Sequence, residues 1–327
     1  MLTVLSAAPL ATVQDLGRFG HYRHGVGRAG AMDGLALSLG NALLLNPPEA
    51  AAIEVPLPPF RLRVETDLDI AVTGADCAAM LDGTALPPAW AVRARAGQEL
   101  SLNAPVAGGY AYVSVAGGID VPAVLGARAT QLREGFGGYE GRVLARGDRL
   151  AALGDDTALP DGGLGAFPPA RALPLDAAGA VALRVLPGAE FENFTAESVA
   201  ALWEAEWRVT RESNRTGYRL AGPGLALEAP LELRSHGVVP GVIQVPHGGQ
   251  PIIQLADAAT MGGYPKIGTV IEADLWRIAQ ARPGTMLRFV RTSYAEAVAA
   301  MRVRDAFVDA VRAAARRHRQ AWAAWQS

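Results

Sequence analysis

The sequence predicts a mainly β protein with a few helices, made of two domains and a C-terminal helix. Its 327 residues are more than one compact domain usually needs, so two domains are expected. Over residues 61–150, short apolar runs alternate with evenly spaced glycine turns, a pattern typical of a β-barrel or a β-sandwich. Half of the residues are apolar, which allows sizeable cores and argues against disorder.

The first predicted domain covers residues 1–155. A strand is expected over residues 3–12, and a loop rich in glycine, histidine and arginine leads from it to Asp33. Asp33 suits the N-cap of a helix over the apolar-periodic residues 35–45, which ends before Pro47 and Pro48. Further strands are expected over residues 62–64, 68–72, 100–102 and 110–115.

Residues 156–180 are rich in Pro, Gly and Ala and lack both periodicities, so they are predicted to form a linker. The second predicted domain, residues 181–292, opens with a strand over 181–186 and a helix over 195–207 that Thr195 caps. Strands over 208–210, 218–220 and 285–290 and a helix over 272–280 are expected to follow. The stretch 237–272 is dense in glycine and proline, and its loops carry many polar residues.

Residues 293–327 are rich in alanine and arginine and predict a C-terminal helix. This helix is either a solvated end with basic residues near its C-terminus, or a partner-docking helix anchored by Trp322 and Trp325.

Composition and charge exclude several classes of function. The formal net charge of −2 gives no large positive field, so nucleic acid is not expected as a partner. The single cysteine, Cys77, cannot form an internal disulfide, and no Cys/His cluster has the spacing of a metal site. The N-terminus has no signal-peptide pattern and no segment is apolar enough to span a membrane, so a cytoplasmic protein with a small-molecule substrate is expected.

The common motifs for a nucleophilic serine, a zinc site or a phosphate-binding loop are absent from the sequence. A first candidate site is Asp15 and Arg18 with His24, where a carboxylate beside a guanidinium suits anion recognition or only pins a glycine loop. A second is the arginine-rich stretch 211–220, which either binds an acidic group or is an exposed turn.

A third candidate site is Arg234, Ser235 and His236, which lead into the glycine-rich stretch. Lys266, within this stretch, is the only lysine in the protein. In a chain that otherwise uses arginine, a retained lysine suggests a requirement for a compact point charge, for example a clamp on a carboxylate, a phosphate or an oxyanion. The alternatives are that Lys266 is an ordinary surface lysine and that the glycines only shape turns of a barrel.

With these residues assembled, the sequence resembles the allophanate hydrolase subunit 2 family, also described as biotin-dependent carboxyltransferase-like, which includes the C subunit of bacterial 5-oxoprolinase. The resemblance runs in order over about residues 3–290 and is carried by TVQDLGRFGHYRHGVGRAGAMDGLALSLGN, SNRTGYRLAGP, VVPGVIQVPHGGQPIIQLAD and GGYPKIGTVI. It implies two tandem cyclophilin-like β-barrel domains.

The resemblance also implies a subunit of an ATP-dependent 5-oxoprolinase-type complex, which opens the cyclic amide 5-oxoproline to glutamate. Its partners would be a subunit 1/B-type protein and a third, LamB/YcsF-like subunit, and ATP would bind to this chain or at a site shared with a partner. One alternative is a carboxyltransferase module of the urea carboxylase type. Another is a non-catalytic regulatory protein, which family-atypical residues favour: Ala127, Ala129, Ala258, Ala259 and Met261.

On the leading hypothesis Lys266, Arg215 and Asp15 are catalytic. Cationic side chains neutralise a substrate carboxylate or a phosphorylated intermediate, amide and hydroxyl groups orient the substrate, and Arg18 closes the site from the first domain. The expected substrate-binding residues are Arg18, His24, Tyr218, Arg219, Ser235, Gln244, Gln250, Asp257, Thr260, Gly262, Gly263 and Tyr264. Biotin is not expected on this chain, because Lys266 stands in Tyr-Pro-Lys-Ile and lacks the flanking methionines of an attachment site.

Overall fold

The computed structural model describes residues 1–154, 159–173, 175 and 179–326. The chain divides into two compact units. Unit 1 contains Met1–Arg18 and the chain from Asp33 to Pro174. Unit 2 contains Phe19–Met32 and the chain from Leu175 to Val303, and from Arg304 onward the chain belongs to unit 1 again.

The described strands of unit 1 form two antiparallel sheets, one of seven strands and one of six. The first has the order β11-β12-β1-β4-β9-β6-β7 and the second the order β13-β8-β5-β10-β3-β2. The strands are β1 (Leu2–Ser6), β2 (Thr12–Gln14), β3 (Ala52–Pro56), β4 (Phe60–Val64), β5 (Leu68–Asp76), β6 (Met80–Leu81), β7 (Thr84–Ala85), β8 (Trp90–Ala94), β9 (Glu99–Leu102), β10 (Ala107–Val115), β11 (Ile119–Asp120), β12 (Arg149–Ala152) and β13 (Leu164–Gly165).

The core of unit 1 lies between its two sheets. It combines fully buried residues of one sheet, such as Leu2 and Phe60, with those of the other, such as Ile70 and Val113. Alternation along each strand supplies these inward-facing side chains. Cys77 joins this core, and its burial raises the pKa of the thiol to about 11, so the thiolate form is scarce at neutral pH.

Helix α1 (Gly34–Leu43) covers the six-stranded sheet of unit 1. Asp33 caps it as predicted, since its Oδ1 accepts a hydrogen bond of 2.8 Å from the backbone N–H of Ala36. The hydroxyl of Thr73 on β5 donates to the carbonyl of Ala36 at 2.7 Å, which fixes the helix on the sheet.

Unit 2 contains a closed barrel of seven strands with the order β14-β21-β18-β19-β16-β15-β22. Strands β14 and β22 pair in parallel, while the other neighbours are antiparallel. A separate two-stranded sheet pairs β17 with β20. The strands are β14 (Val181–Pro187), β15 (Trp207–Val209), β16 (Gly217–Ala221), β17 (His236–Gly237), β18 (Val242–Gln244), β19 (Ile252–Gln254), β20 (Met261–Gly262), β21 (Lys266–Val270) and β22 (Met286–Arg291).

Short helices connect these strands. Thr195 caps the predicted helix of unit 2, because its Oγ1 accepts a hydrogen bond of 3.2 Å from the backbone N–H of Ser198. The α-helices after α1 are α2 (Pro169–Ala172), α3 (Ala196–Glu204), α4 (Leu275–Gln280) and α5 (Tyr294–Gln326), and 3-10 helices span Tyr22–His24, Phe191–Asn193 and Glu272–Asp274. Among the described residues, none of the helices combines the length and the apolar character needed to cross a membrane.

The predicted C-terminal helix is confirmed as α5. Its first turns belong to unit 2, where Ala297 and Ala300 pack against Ile271. In unit 1, the guanidinium of Arg312 donates to the carbonyl of Asn46 at 2.7 Å, and that of Arg319 donates to the carbonyl of Leu43 at 2.8 Å. Arg319 is only 6% exposed, so the prediction of a wholly solvated basic end is wrong for this residue.

The predicted fold class is confirmed by the predominance of strands, the few helices, the closed barrel and the C-terminal helix. Parts of the predicted linker, residues 156–158, 174 and 176–178, lie outside the described residues. Another part forms β13, which pairs with β8, so this segment contributes to a sheet of unit 1.

The loop that contains Phe19–Met32 groups with unit 2, although the sequence suggested that it belongs wholly to the first domain. Two contacts within unit 2 explain this. The guanidinium of Arg215 donates to the carbonyl of Gly30 at 2.8 Å, and Arg28 lies 3.5 Å from the carboxylate of Glu272.

Candidate functional site

Lys266 lies at the start of barrel strand β21 and is only 6% exposed. Its backbone N–H donates to Oε2 of Glu190 at 2.9 Å, and its ammonium group donates to the carbonyl of Tyr264 at 3.2 Å. Desolvation lowers the pKa of Lys266, and the nearby Glu190 carboxylate offsets this only in part. The interpretation of Lys266 as an ordinary surface lysine is therefore wrong.

Gln244 is the neighbour of Lys266 across the strand pair β18–β21. Residues paired across antiparallel strands project their side chains to the same side. Gln244 is 6% exposed, and within the described part of the chain its buried Nε2 has no hydrogen-bond partner. A buried amide donor without an acceptor is costly, which makes Gln244 a candidate ligand-binding residue.

The two-stranded sheet β17–β20 brings further residues to the same place. Gly262 on β20 lies under the Gln244 amide, because a Cβ added to Gly262 would stand 2.5 Å from Nε2. His236 on β17 is the register partner of Gly262, and its Nε2 lies 4.0 Å from Oε1 of Glu190. We call this group the rim site, and its residues are Glu190, His236, Gln244, Gly262, Tyr264 and Lys266.

The outer edge of the rim site is open to solvent. Tyr264 is 44% exposed, and its ring meets His247 edge-on at a centroid distance of 6.0 Å. Ser235 is exposed, and its hydroxyl would stand 3.6 Å from a Cβ added to Gly263. Glycine at this position keeps the backbone accessible beside the polar groups.

Arg215 and Asp257 form a buried ion pair within unit 2. Nε of Arg215 lies 2.8 Å from Oδ2 of Asp257, and Nη2 lies 2.9 Å from Oδ1. The residues are 5% and 8% exposed. Since Nη2 also donates to the carbonyl of Gly30, the contacts of this pair favour a positioning role. A catalytic role for Arg215 stays a prediction.

Several other predicted residues of unit 2 are held by protein groups. Arg219 is exposed and its guanidinium donates to the carbonyl of Glu212 at 2.8 Å. The side chain of Gln250 is exposed and binds both backbone groups of Gly222, at 3.0 and 3.2 Å. These contacts hold both side chains at turns and give neither a place in the rim site.

Tyr218, Thr260 and His24 also contact protein groups outside the rim site. The Tyr218 hydroxyl donates to the carbonyl of Ala279 at 3.4 Å, and the Thr260 carbonyl accepts from the Val238 N–H at 3.0 Å. His24 is exposed and accepts a hydrogen bond of 3.0 Å from Arg23.

The predicted residues of unit 1 pin its loops. The Asp15 carboxylate accepts from the N–H of Gly17 at 2.7 Å and from that of Arg128 at 2.5 Å. The Arg18 guanidinium donates to the carbonyl of Ala129 at 2.6 Å and lies 4.7 Å from the centre of the Phe136 ring. These contacts favour the loop-pinning alternative for Asp15 and Arg18, while their role at a catalytic site stays a prediction.

Sequence reasoning missed Glu190, whereas His236 is part of the third candidate site. The signal for Glu190 is a carboxylate that follows a Pro-Gly turn at the end of an apolar strand. In the described residues no group of three or more His, Cys, Asp or Glu side chains has the arrangement of a metal site.

Replacing Gly262 with alanine is expected to disturb the rim site, because the new methyl group would lie 2.5 Å from the Gln244 amide. Either Gln244 or the β17–β20 sheet must move, at a cost of about 1–3 kcal/mol in the free energy of unfolding. Gly237→Ala is the matched control, since a Cβ at Gly237, in the same sheet, meets nothing within 4 Å. Thermal unfolding of both variants checks this, and equal losses of stability would contradict it.

Comparison with known proteins identifies the family. The model of the family described as "Carboxyltransferase domain, subdomain A and B" matches residues 24–291. The chain is 42% identical over 306 residues to the C subunit of 5-oxoprolinase from Escherichia coli K12, covering 92% of this chain and 94% of that protein. It is 40% identical over 312 residues to the C subunit of 5-oxoprolinase from Haemophilus influenzae, covering 95% of this chain and 98% of that protein.

A solved structure shows the same fold within a much longer protein. The crystal structure of the K. lactis urea amidolyase superposes with a TM-score of 0.85 and 29% sequence identity over 95% of this chain. The match covers 20% of the urea amidolyase chain, so this protein corresponds to one part of that enzyme. Together these matches confirm the resemblance seen in the sequence: the chain belongs to the carboxyltransferase-domain family that includes the C subunit of 5-oxoprolinase.

Proposed function

We propose that this chain is a subunit of an ATP-dependent 5-oxoprolinase-type complex that hydrolyses a cyclic amide, 5-oxoproline, to glutamate. It acts together with a subunit 1/B-type protein and a LamB/YcsF-like subunit. The identity of 42% to the C subunit of a 5-oxoprolinase, over 94% of that protein, supports this assignment. The observation that carries it is the rim site, where a buried lysine lies beside a buried amide that has no acceptor in the described chain.

The rim site has the chemistry of an oxygen-anion site. Opening of a cyclic amide by water breaks the C–N bond, adds a hydroxyl to the carbon and a proton to the nitrogen, and develops negative charge on the carbonyl oxygen. The ammonium group of Lys266 and the Nε2 of Gln244 are two donors that stabilise such an oxygen or the carboxylate of the substrate. Low exposure of both residues strengthens these interactions.

ATP is assigned to a surface that this chain shares with a partner. The sequence has no Gly-x-x-x-x-Gly-Lys-Ser/Thr loop, and its one lysine lies in the rim site, so this chain offers no P-loop cradle for a triphosphate. Biotin attachment to this chain is also unsupported, because attachment needs an accessible lysine and Lys266 is 6% exposed.

A carboxyltransferase module is the second candidate function. The matched family model and the structural similarity to part of the K. lactis urea amidolyase favour it. In this case biotin would be carried by another chain and would enter the rim site, and the anionic oxygen would belong to a carboxyl group in transfer.

The test is reconstitution of the full chain with the subunit 1/B-type and LamB/YcsF-like proteins of its own source. We expect glutamate to form from 5-oxoproline only when ATP and all subunits are present, and calorimetry to detect no binding of free biotin. Biotin binding with carboxyl transfer, and no ring opening, would support the second candidate. A complex that assembles but neither hydrolyses ATP nor opens the ring would support the regulatory alternative.

A further inference from the structure

We propose that His236, held by Glu190, provides a second positive charge beside Lys266, so that the rim site selects cyclic amides that carry a carboxylate. This inference rests on the proposed function and adds a specificity-determining residue to it.

The hydrogen bond at Nδ1 fixes the tautomer of His236. Nδ1 lies 2.9 Å from the carbonyl oxygen of Arg234. A carbonyl oxygen only accepts, so Nδ1 carries the hydrogen. In the neutral ring Nε2 is therefore the acceptor, and the second proton binds there.

Glu190 is placed to pair with that second proton. Its Oε1 lies 4.0 Å from Nε2 of His236, and its Oε2 accepts the backbone N–H of Lys266 at 2.9 Å. Glu190 is 9% exposed, and the hydrogen bond from the first residue of β21 limits its movement. One fixed carboxylate is thus shared by the strand that carries Lys266 and by the protonated imidazole.

Strand pairing links the three residues through Gly262 and Gln244. His236 is its register partner in β17–β20, and Gln244 lies 2.5 Å from the position of its missing Cβ. Lys266 is the register partner of Gln244 in β18–β21. The His236 side chain is 43% exposed while Lys266 is 6% exposed, so the imidazolium is the more accessible cation.

The titratable side chains on the segments that meet His236 are few. Glu190 lies on the turn after β14, Lys266 begins β21 just after Tyr264, and Glu232 and Arg234 lie on the loop that leads to His236. Glu190 is the carboxylate that lies 4.0 Å from the imidazole, and protonation of His236 adds one positive charge to this set. A cyclic amide with a carboxylate gains from that charge, whereas a neutral urea does not.

The first experiment measures kcat and KM for 5-oxoproline in reconstituted complexes that contain the wild-type chain or a variant at His236. We expect His236→Gln to raise KM about tenfold, the loss of one charge-assisted contact, with a smaller change in kcat. His236→Arg, which keeps a positive charge, should keep the low KM. His318→Gln, on the exposed face of α5, is the matched control. Values of kcat and KM for His236→Gln identical to those of the wild type would overturn the proposal.

The second experiment separates this inference from the proposed function. Because the chain has a single lysine, isotope-labelled lysine gives one side-chain NMR signal, that of Lys266. In the isolated full chain we expect this signal to shift as His236 titrates, and the shift to disappear in His236→Gln and in Glu190→Gln. If the Lys266 signal follows the protonation of His236 but the complex does not open 5-oxoproline, the proposed function is refuted and the charge pair of His236 and Glu190 is kept. If the complex is active but the Lys266 signal does not change with His236, the charge pair is refuted.

Discussion

Lys266→Ala is expected to lower kcat/KM for 5-oxoproline by about 10²–10³-fold in the reconstituted complex, the usual effect of removing one donor that stabilises an oxyanion. The reason is the position of Lys266, a residue that is 6% exposed at the barrel rim and projects to the same side of the strand pair as Gln244. Steady-state kinetics of the purified complex measures this loss.

Lys266→Met separates the charge from the packing of the side chain. Desolvation lowers the pKa of Lys266, so the unfolded chain binds this proton more tightly than the folded chain does. The wild-type protein therefore gains stability as the pH rises from the lowered pKa towards about 10.4, the value of a free lysine. Lys266→Met has no charge to bury, so it should lack this gain and unfold no earlier than the wild type at neutral pH.

The control is Arg208→Ala, which removes a cation from the exposed face of barrel strand β15. This variant should keep both activity and stability, because surface substitutions without buried partners usually change stability by less than about 0.5 kcal/mol. If Lys266→Ala retains full ATP-dependent ring opening, Lys266 has no role in catalysis.

Local signals in the sequence predicted much of the fold. Asp33 and Thr195 were predicted as helix caps, and both accept the expected backbone hydrogen bonds. Strand positions followed the alternation of apolar residues, but two predicted bounds are wrong. The strand expected over residues 3–12 ends at Ser6, and the helix expected over 195–207 ends at Glu204, because Trp207 begins strand β15. The order of strands in the barrel was not predictable, because the parallel pairing of β14 with β22 joins residues about a hundred positions apart.

The rim site was predictable only in part, because some of its residues lie far apart in the sequence. Lys266 could be selected because it is the only lysine, and Gln244 because it lies in the same glycine-rich stretch. Glu190 lies 76 positions before Lys266, and only the pairing of β14 with β21 brings its turn to the rim. Residue type alone also failed to separate Gln250, which binds the backbone of Gly222, from Gln244, whose amide is buried without an acceptor in the described chain.

Asp257→Asn and Arg215→Ala are each expected to reduce the free energy of unfolding by about 3–5 kcal/mol, because each leaves a buried charge without its partner. Arg215 and Asp257 are 5% and 8% exposed and make two hydrogen bonds, so water cannot replace the lost partner easily. Urea denaturation of the full chain, compared at equal m-values, measures the change.

The double variant Arg215→Met/Asp257→Met should lose far less than the sum of the single changes, since it removes both charges together. Arg95 and Asp67 provide a matched control: their atoms also lie 2.8 Å apart, but the side chains are 66% and 42% exposed. Arg95→Ala should therefore cost no more than about 1 kcal/mol.

Variants of the Arg215–Asp257 ion pair also test how Arg215 contributes to function. Its Nη2 holds the carbonyl of Gly30, so its loss should release Phe19–Met32, which hydrogen exchange would detect as lower protection of that segment. A positioning role predicts that stability, protection and activity fall together, and that Arg215→Lys does not restore them because lysine lacks the planar fork. If an Arg215 variant keeps full stability and protection but loses activity, the guanidinium acts directly on the substrate and the ion pair is secondary.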